Sequence, residues 1–178
     1  MRKQKEFSIF HKKYRVIQHS AIDALELINR ADKPKPHEWL MHTEILSGGD
    51  SWVRLDNAAA IDAHVFDPAG VKTPAMTLRY LVGIVQEFSV GYLKKWKPLT
   101  IPSRFRSNLN ETQQERTKTD AEPMVAMLVT KNLATLKELS VDYSVEDALK
   151  MSDMKTAAML AEAFANENAA AEAKSKNK

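Results

Sequence analysis

The run TLRYLVGIVQEFSVGYLKKW, Thr77 to Trp96, constrains the fold more than any other part of the chain. Leu78, Leu81, Val82, Val85, Phe88, Tyr92, Leu93 and Trp96 recur at three- and four-residue steps, so a helix lines them along one side. Arg79, Gln86, Glu87, Lys94 and Lys95 interrupt the apolar run, which predicts a helix in water rather than a membrane span. That stripe needs a core to cover it. With 44% of its 178 residues hydrophobic, the chain can build one. The helix runs directly into KPLTIPSRF, where Pro98 and Pro102 prevent its continuation.

The elements on either side predict a mainly α protein with a small N-terminal β-hairpin, an α+β class. Phe7, Ile9, Tyr14, Val16 and Ile17 flank the polar His11-Lys12-Lys13 and predict a hairpin over Glu6–Gln18. Ser20 with Asp23 reads as the start of a helix reaching about Ala31. Pro36 opens a second helix expected to run through Trp39, Leu40, Ile45 and Leu46 and to end at Ser47-Gly48-Gly49-Asp50. A brief strand over Trp52–Leu55 and a short helix over Ala58–Val65, capped by Asp56 or Asn57, come next. Thr73 or Thr77 caps the long helix. Beyond Phe105 the chain turns polar. Residues 1–106 are expected to form a hairpin-plus-helical domain, 107–119 a linker, 120–165 a C-terminal helical module and 166–178 a flexible tail. In that module one helix carries Val125, Leu128, Leu133, Leu136 and Leu139. Ser144 and Asp147 box the start of a short helix over Val145–Met151, and Ser152 caps a last one lined by Met154, Ala158, Ala161 and Phe164.

Several chemistries find no support. Without cysteine there are no disulfides, thiolate metal sites or thiol nucleophiles. His37 and His42 stand five apart, not at the three- or four-residue spacing of ligands on one helical face, and His64 with Asp67 makes too small a set. Gly48-Gly49 lacks the Lys-Ser/Thr of a phosphate loop, and no serine sits in a GxSxG context. Glu87 lies in the long helix, where a solvated flank explains it. No enzyme, cofactor or metal is therefore expected. The charged N-terminus lacks the apolar core of a signal peptide, which leaves a soluble cytoplasmic protein as the expectation.

The strongest remaining signal is the basic exit of the long helix. Lys94, Lys95, Lys97, Arg104 and Arg106 are interleaved with Trp96 and Phe105, and no acidic residue occurs between Phe88 and Asn110. Cations among aromatics grip phosphates and stack bases. They also form the rim of a protein-binding site. A third reading is packing alone, with lysines favoured at a helix C-terminus. Met151, Met154 and Met159, strung along C-terminal amphipathic helices, offer a second adaptable surface, though methionine at that spacing also fits an ordinary core.

The opening KEFSIFHKKYRVIQHSAIDALELINRA, the central WVRLDNAAAIDAHVFD and the segment from Thr73 to Phe105 resemble, in pattern and order, small phage tail assembly chaperones. The likeness covers about residues 5–106 and involves no catalytic motif. It implies a non-enzymatic assembly factor of the infected cell's cytoplasm, absent from the finished virion. Such a factor binds the tape measure protein, keeps it soluble and helps recruit tail tube protein. Self-association is compatible with this, and no membrane or nucleic acid is expected as partner. Two rivals stand beside it: a nucleic-acid-binding protein using Lys94–Arg106, and a structural virion component for tail or head completion.

Overall fold

The computed structural model describes residues 1–105 and 122–176, and their architecture is α+β and mainly helical. The chain forms two compact units: Met1–Lys95 with Lys137–Asp147, and Trp96–Leu136 with Ala148–Lys178. The expected linker, 107–119, lies outside the described residues, as does Arg106.

The first unit is built on a four-stranded antiparallel sheet in the order β1 (Gln4–Ile9), β2 (Lys12–Ile17), β3 (Thr43–Ser47), β4 (Ser51–Arg54). The expected hairpin is its first half. Ile9 pairs with Lys12, so the turn is only Phe10-His11, and both residues take left-handed backbone, with φ of 47° and 63°. Such turns normally carry Asn or Gly, because a side chain crowds the backbone there.

The second half of the sheet corrects the sequence reading. The helix opened by Pro36 stops at Leu40, and Ile45 and Leu46 belong to β3. Alternation accounts for this. Thr43 and Ile45 are buried opposite Val16 and Tyr14, and a helix would turn them out of that register. Ser47-Gly48-Gly49-Asp50 joins two strands, and Gly49 supplies the left-handed residue, φ 85°.

Helices cover the sheet's apolar side. α1 (Ala21–Asn29) starts at Ser20, whose hydroxyl accepts from the Asp23 N–H at 3.1 Å. α2 is Pro36–Leu40, and α3 (Ala58–His64) is capped by Asn57, which accepts from Ala60 at 2.9 Å. α4 (Pro74–Val90) is capped by Thr73. It presses Leu81 and Val85 into a core with Tyr14, Val16, Ile45 and Leu55. The long helix is shorter than its stripe predicts: it ends at Val90, and after Gly91 a separate turn, α5 (Tyr92–Lys95), follows.

Residues 137–147 complete this unit. They carry most of α7 (Leu136–Val141) and the start of α8 (Val145–Lys176). The Arg2 N–H donates to Asp142 O at 2.9 Å and the Ala21 N–H to Tyr143 O at 2.8 Å. The Met1 ammonium meets Asp147 at 2.9 Å and Lys3 meets Glu146 at 2.9 Å.

In the second unit a 3-10 turn spans Ser103–Phe105, and α6 (Pro123–Thr130) starts at Glu122, whose carboxylate accepts from the Met124 and Val125 N–H groups. The single helix expected over Val125–Leu139 breaks at Asn132, which sits at φ 54° and closes α6. The two helices expected around Ser152 are one. Ser152 lies inside α8, its carbonyl accepting from the Thr156 hydroxyl at 2.9 Å, and alanine-rich sequence carries the helix to Lys176. Among the described residues no helix is long and apolar enough to cross a membrane.

Candidate functional site

The residues of the basic exit divide between the units. Lys94 and Lys95 belong to the first. The Lys94 ammonium is 2.6 Å from Glu87, and this bond holds the Glu87 carboxyl below its ordinary range. Lys95 is exposed on the last turn of α5. An i, i+7 pair on a helix end explains Lys94 without a ligand.

Trp96, Lys97, Arg104 and Phe105 belong to the second unit, and three of them turn to α8. The Trp96 indole N–H donates to Asp153 at 2.8 Å. Phe105, only 6% exposed, sets its ring edge-on to Phe164, with centroids 4.9 Å apart. The Arg104 guanidinium lies 3.3 Å from Glu167 and over both rings, 4.9 Å from Phe105 and 5.3 Å from Phe164. Of the aromatics that the sequence offered for base stacking, Phe105 is buried and Trp96 is half-buried and tied to α8. Lys97 remains exposed.

This arrangement separates two sets of residues that the sequence could not tell apart. A helix turns about 100° per residue, so Asp153, Phe164 and Glu167 share one side of α8, while Met151 lies opposite them and Met154 and Met159 fall on the two flanks, about 140° apart. Trp96, Arg104 and Phe105 occupy the first side. Of the three methionines, Met154 is 71% exposed and Met151 and Met159 are partly covered.

Two further clusters in the first unit escaped the sequence. One is buried. His19 is fully enclosed; its Nε2–H donates to Trp39 O at 3.0 Å, and its Nδ1 has no partner among the described residues. Its ring is 5.3 Å from that of His42, which reaches Asp23 at 3.4 Å. Burial, with His42 adding to it, pushes the His19 pKa down to about 4. The bond from His42 in turn lowers that of Asp23.

The other cluster lies at the hairpin tip. The Phe10 ring meets Tyr80 of α4 edge-on at 6.3 Å. Lys12 donates to His64 O at 2.6 Å, and its ammonium sits 3.2 Å above the centre of the Phe66 ring. Asp67 then folds the loop ahead of α4 by accepting from the N–H groups of Ala69, Val71 and Lys72. Met76, Arg79 and Tyr80 line a cleft of about 370 Å³. The signal was present in the sequence: Met76 and Tyr80 are large apolar residues off the stripe that α4 buries.

Among the described residues no three His, Asp or Glu side chains gather closely enough to hold a metal ion. No family model, no curated protein and no solved structure matches this chain.

Proposed function

We propose that this protein is a non-enzymatic assembly factor that holds a long helical partner, as a phage tail assembly chaperone holds the tape measure protein before tail tube protein is added. The observation that carries the reading is Met154, exposed on α8, with the partly covered Met151 and Met159 on the turns around it. Trp96, Arg104 and Phe105 fasten the helix from one side, which leaves Met151 opposite them and Met154 and Met159 on the flanks. Methionine side chains are flexible and polarisable, so such a surface accommodates varied apolar stripes of a helical partner. Its place of action in this reading is the host cytoplasm, and it leaves before the virion is complete.

The test is co-expression with the long helical tape measure protein encoded in the same genome. With this chain present, the partner shifts from the pellet to the soluble fraction. Met151→Glu, Met154→Glu and Met159→Glu together abolish the shift while helix content is retained. A partner equally insoluble with and without the wild-type chain refutes the reading.

A further inference from the structure

We propose that the β1–β2 hairpin tip and the N-terminal half of α4 form a docking surface, separate from the methionine side of α8, for an acidic amphipathic helix of a partner protein. Apolar exposure is concentrated here. Tyr80 is 59% exposed and Val71 76%, and Phe66 and Met76 are each more than two-fifths exposed. Met76 and Tyr80 are one helical turn apart, so they form a short ridge on α4, and Arg79 stands beside it at the cleft.

The surroundings select the charge of the occupant. Arg79 is exposed and has no ion-pair partner among the described residues. Lys72 belongs to the loop folded by Asp67, and His11 is near enough to act on the Asp67 charge. Asp67, the carboxylate of that loop, is buried and engaged by three backbone N–H groups, so it offers little to a partner's cation. A helix with apolar residues against Met76 and Tyr80 and carboxylates toward Arg79 is complementary in both shape and sign.

The backbone holds the surface in place. Phe10 and His11 keep left-handed conformations that cost free energy for residues with side chains, and such conformations persist only where the surroundings enforce them. The Phe10 contact with Tyr80 and the Lys12 contact with Phe66 do so, fixing the hairpin tip against both α4 and the loop before it.

The test uses the full chain and two fluorescent helical peptides. Both carry leucines at i, i+3, i+4 and i+7; one has glutamate and the other lysine at the flanking positions. The glutamate peptide binds at least about tenfold more tightly by fluorescence anisotropy. Arg79→Glu removes or reverses that preference. Tyr80→Ala weakens the glutamate peptide about tenfold with an unchanged circular dichroism spectrum. Met154→Glu, in the other unit, leaves peptide binding as it was, which separates this surface from the chaperone reading. Equal affinity for both peptides, no binding of either, or indifference to both Arg79→Glu and Tyr80→Ala overturns the proposal. So does loss of a dimer of this chain on Tyr80→Ala, because the occupant is then a second copy.

Discussion

His19 ties stability to pH through a single ring. Its Nε2–H is engaged by Trp39 O, so a second proton must go to Nδ1, which faces no acceptor among the described residues. The groups around it are His42, Asp23 and Arg2, and burial outweighs the help that Asp23 gives to the charged form. The folded pKa of about 4 lies below the ordinary 6.5, so the unfolded chain binds the extra proton first. The neutral-His19 contribution is complete above about pH 6.5 and disappears as pH falls toward 4. Between pH 7 and 4.5 it amounts to roughly 2–3 kcal/mol. Urea unfolding at the two pH values should show a loss of that size, reduced in His19→Gln. If both proteins lose stability equally, the ring is not responsible. None of this could be read from the sequence, where His19 is one polar residue before a cap; its burial comes from distant residues, Trp39 of α2, His42 and Ser89 of α4.

At the level of elements, capping chemistry was the most readable part. Ser20, Asn57, Thr73 and the Ser144–Asp147 box open helices where their side chains predict them to. Apolar spacing was less discriminating. Ile45 fits a helix begun at Pro36 as well as it fits a strand, and the pairing with Tyr14 that decides the matter lies far back in the chain. The stripe from Leu78 to Trp96 is periodic throughout, yet α4 stops at Gly91. Gly91 keeps right-handed helical backbone, but a Cβ there would collide with the carbonyl oxygen of Glu87, so only glycine fits at this end of α4. Gly91→Ala is expected to cost on the order of 1–3 kcal/mol, since backbone must move to admit the methyl group. Thermal unfolding checks this, and an unchanged midpoint would show that the backbone there yields freely. The candidate surfaces follow the same pattern. Met151, Met154 and Met159 were legible as residues, but which side of α8 is occupied is set by Trp96, Arg104 and Phe105.

On the scale of the whole molecule, the first unit is not continuous in sequence. The segment 137–147 returns to it and is held by backbone bonds to Arg2 and Ala21 and by ion pairs at Met1 and Lys3. The exposed ion pairs add little, whereas leaving partly buried backbone groups unpaired costs about 1–3 kcal/mol each. A chain ending at Leu136 should therefore unfold at lower urea than the full chain, by more than loss of the surface pairs explains. Lys3→Ala should change the midpoint only slightly. Equal midpoints for the shortened and full chains would mean that the segment is an ornament. The fold class was readable from composition and periodicity because both are local. This return was not, because nothing in 137–147 marks it as belonging with the N-terminus.

The same segment also imposes an order on manufacture. A ribosome makes Met1–Lys95 first, then Trp96–Leu136, and only afterwards the residues that close the first unit. At about 5–20 residues per second, that gap lasts several seconds. Throughout it, Asp142 and Tyr143 do not yet exist, so the Arg2 and Ala21 N–H groups lack the carbonyls they meet in the finished chain. The nascent first unit is thus an incomplete body with a vacant seam, and whatever slows translation between Lys95 and Lys137 lengthens the time it stays so.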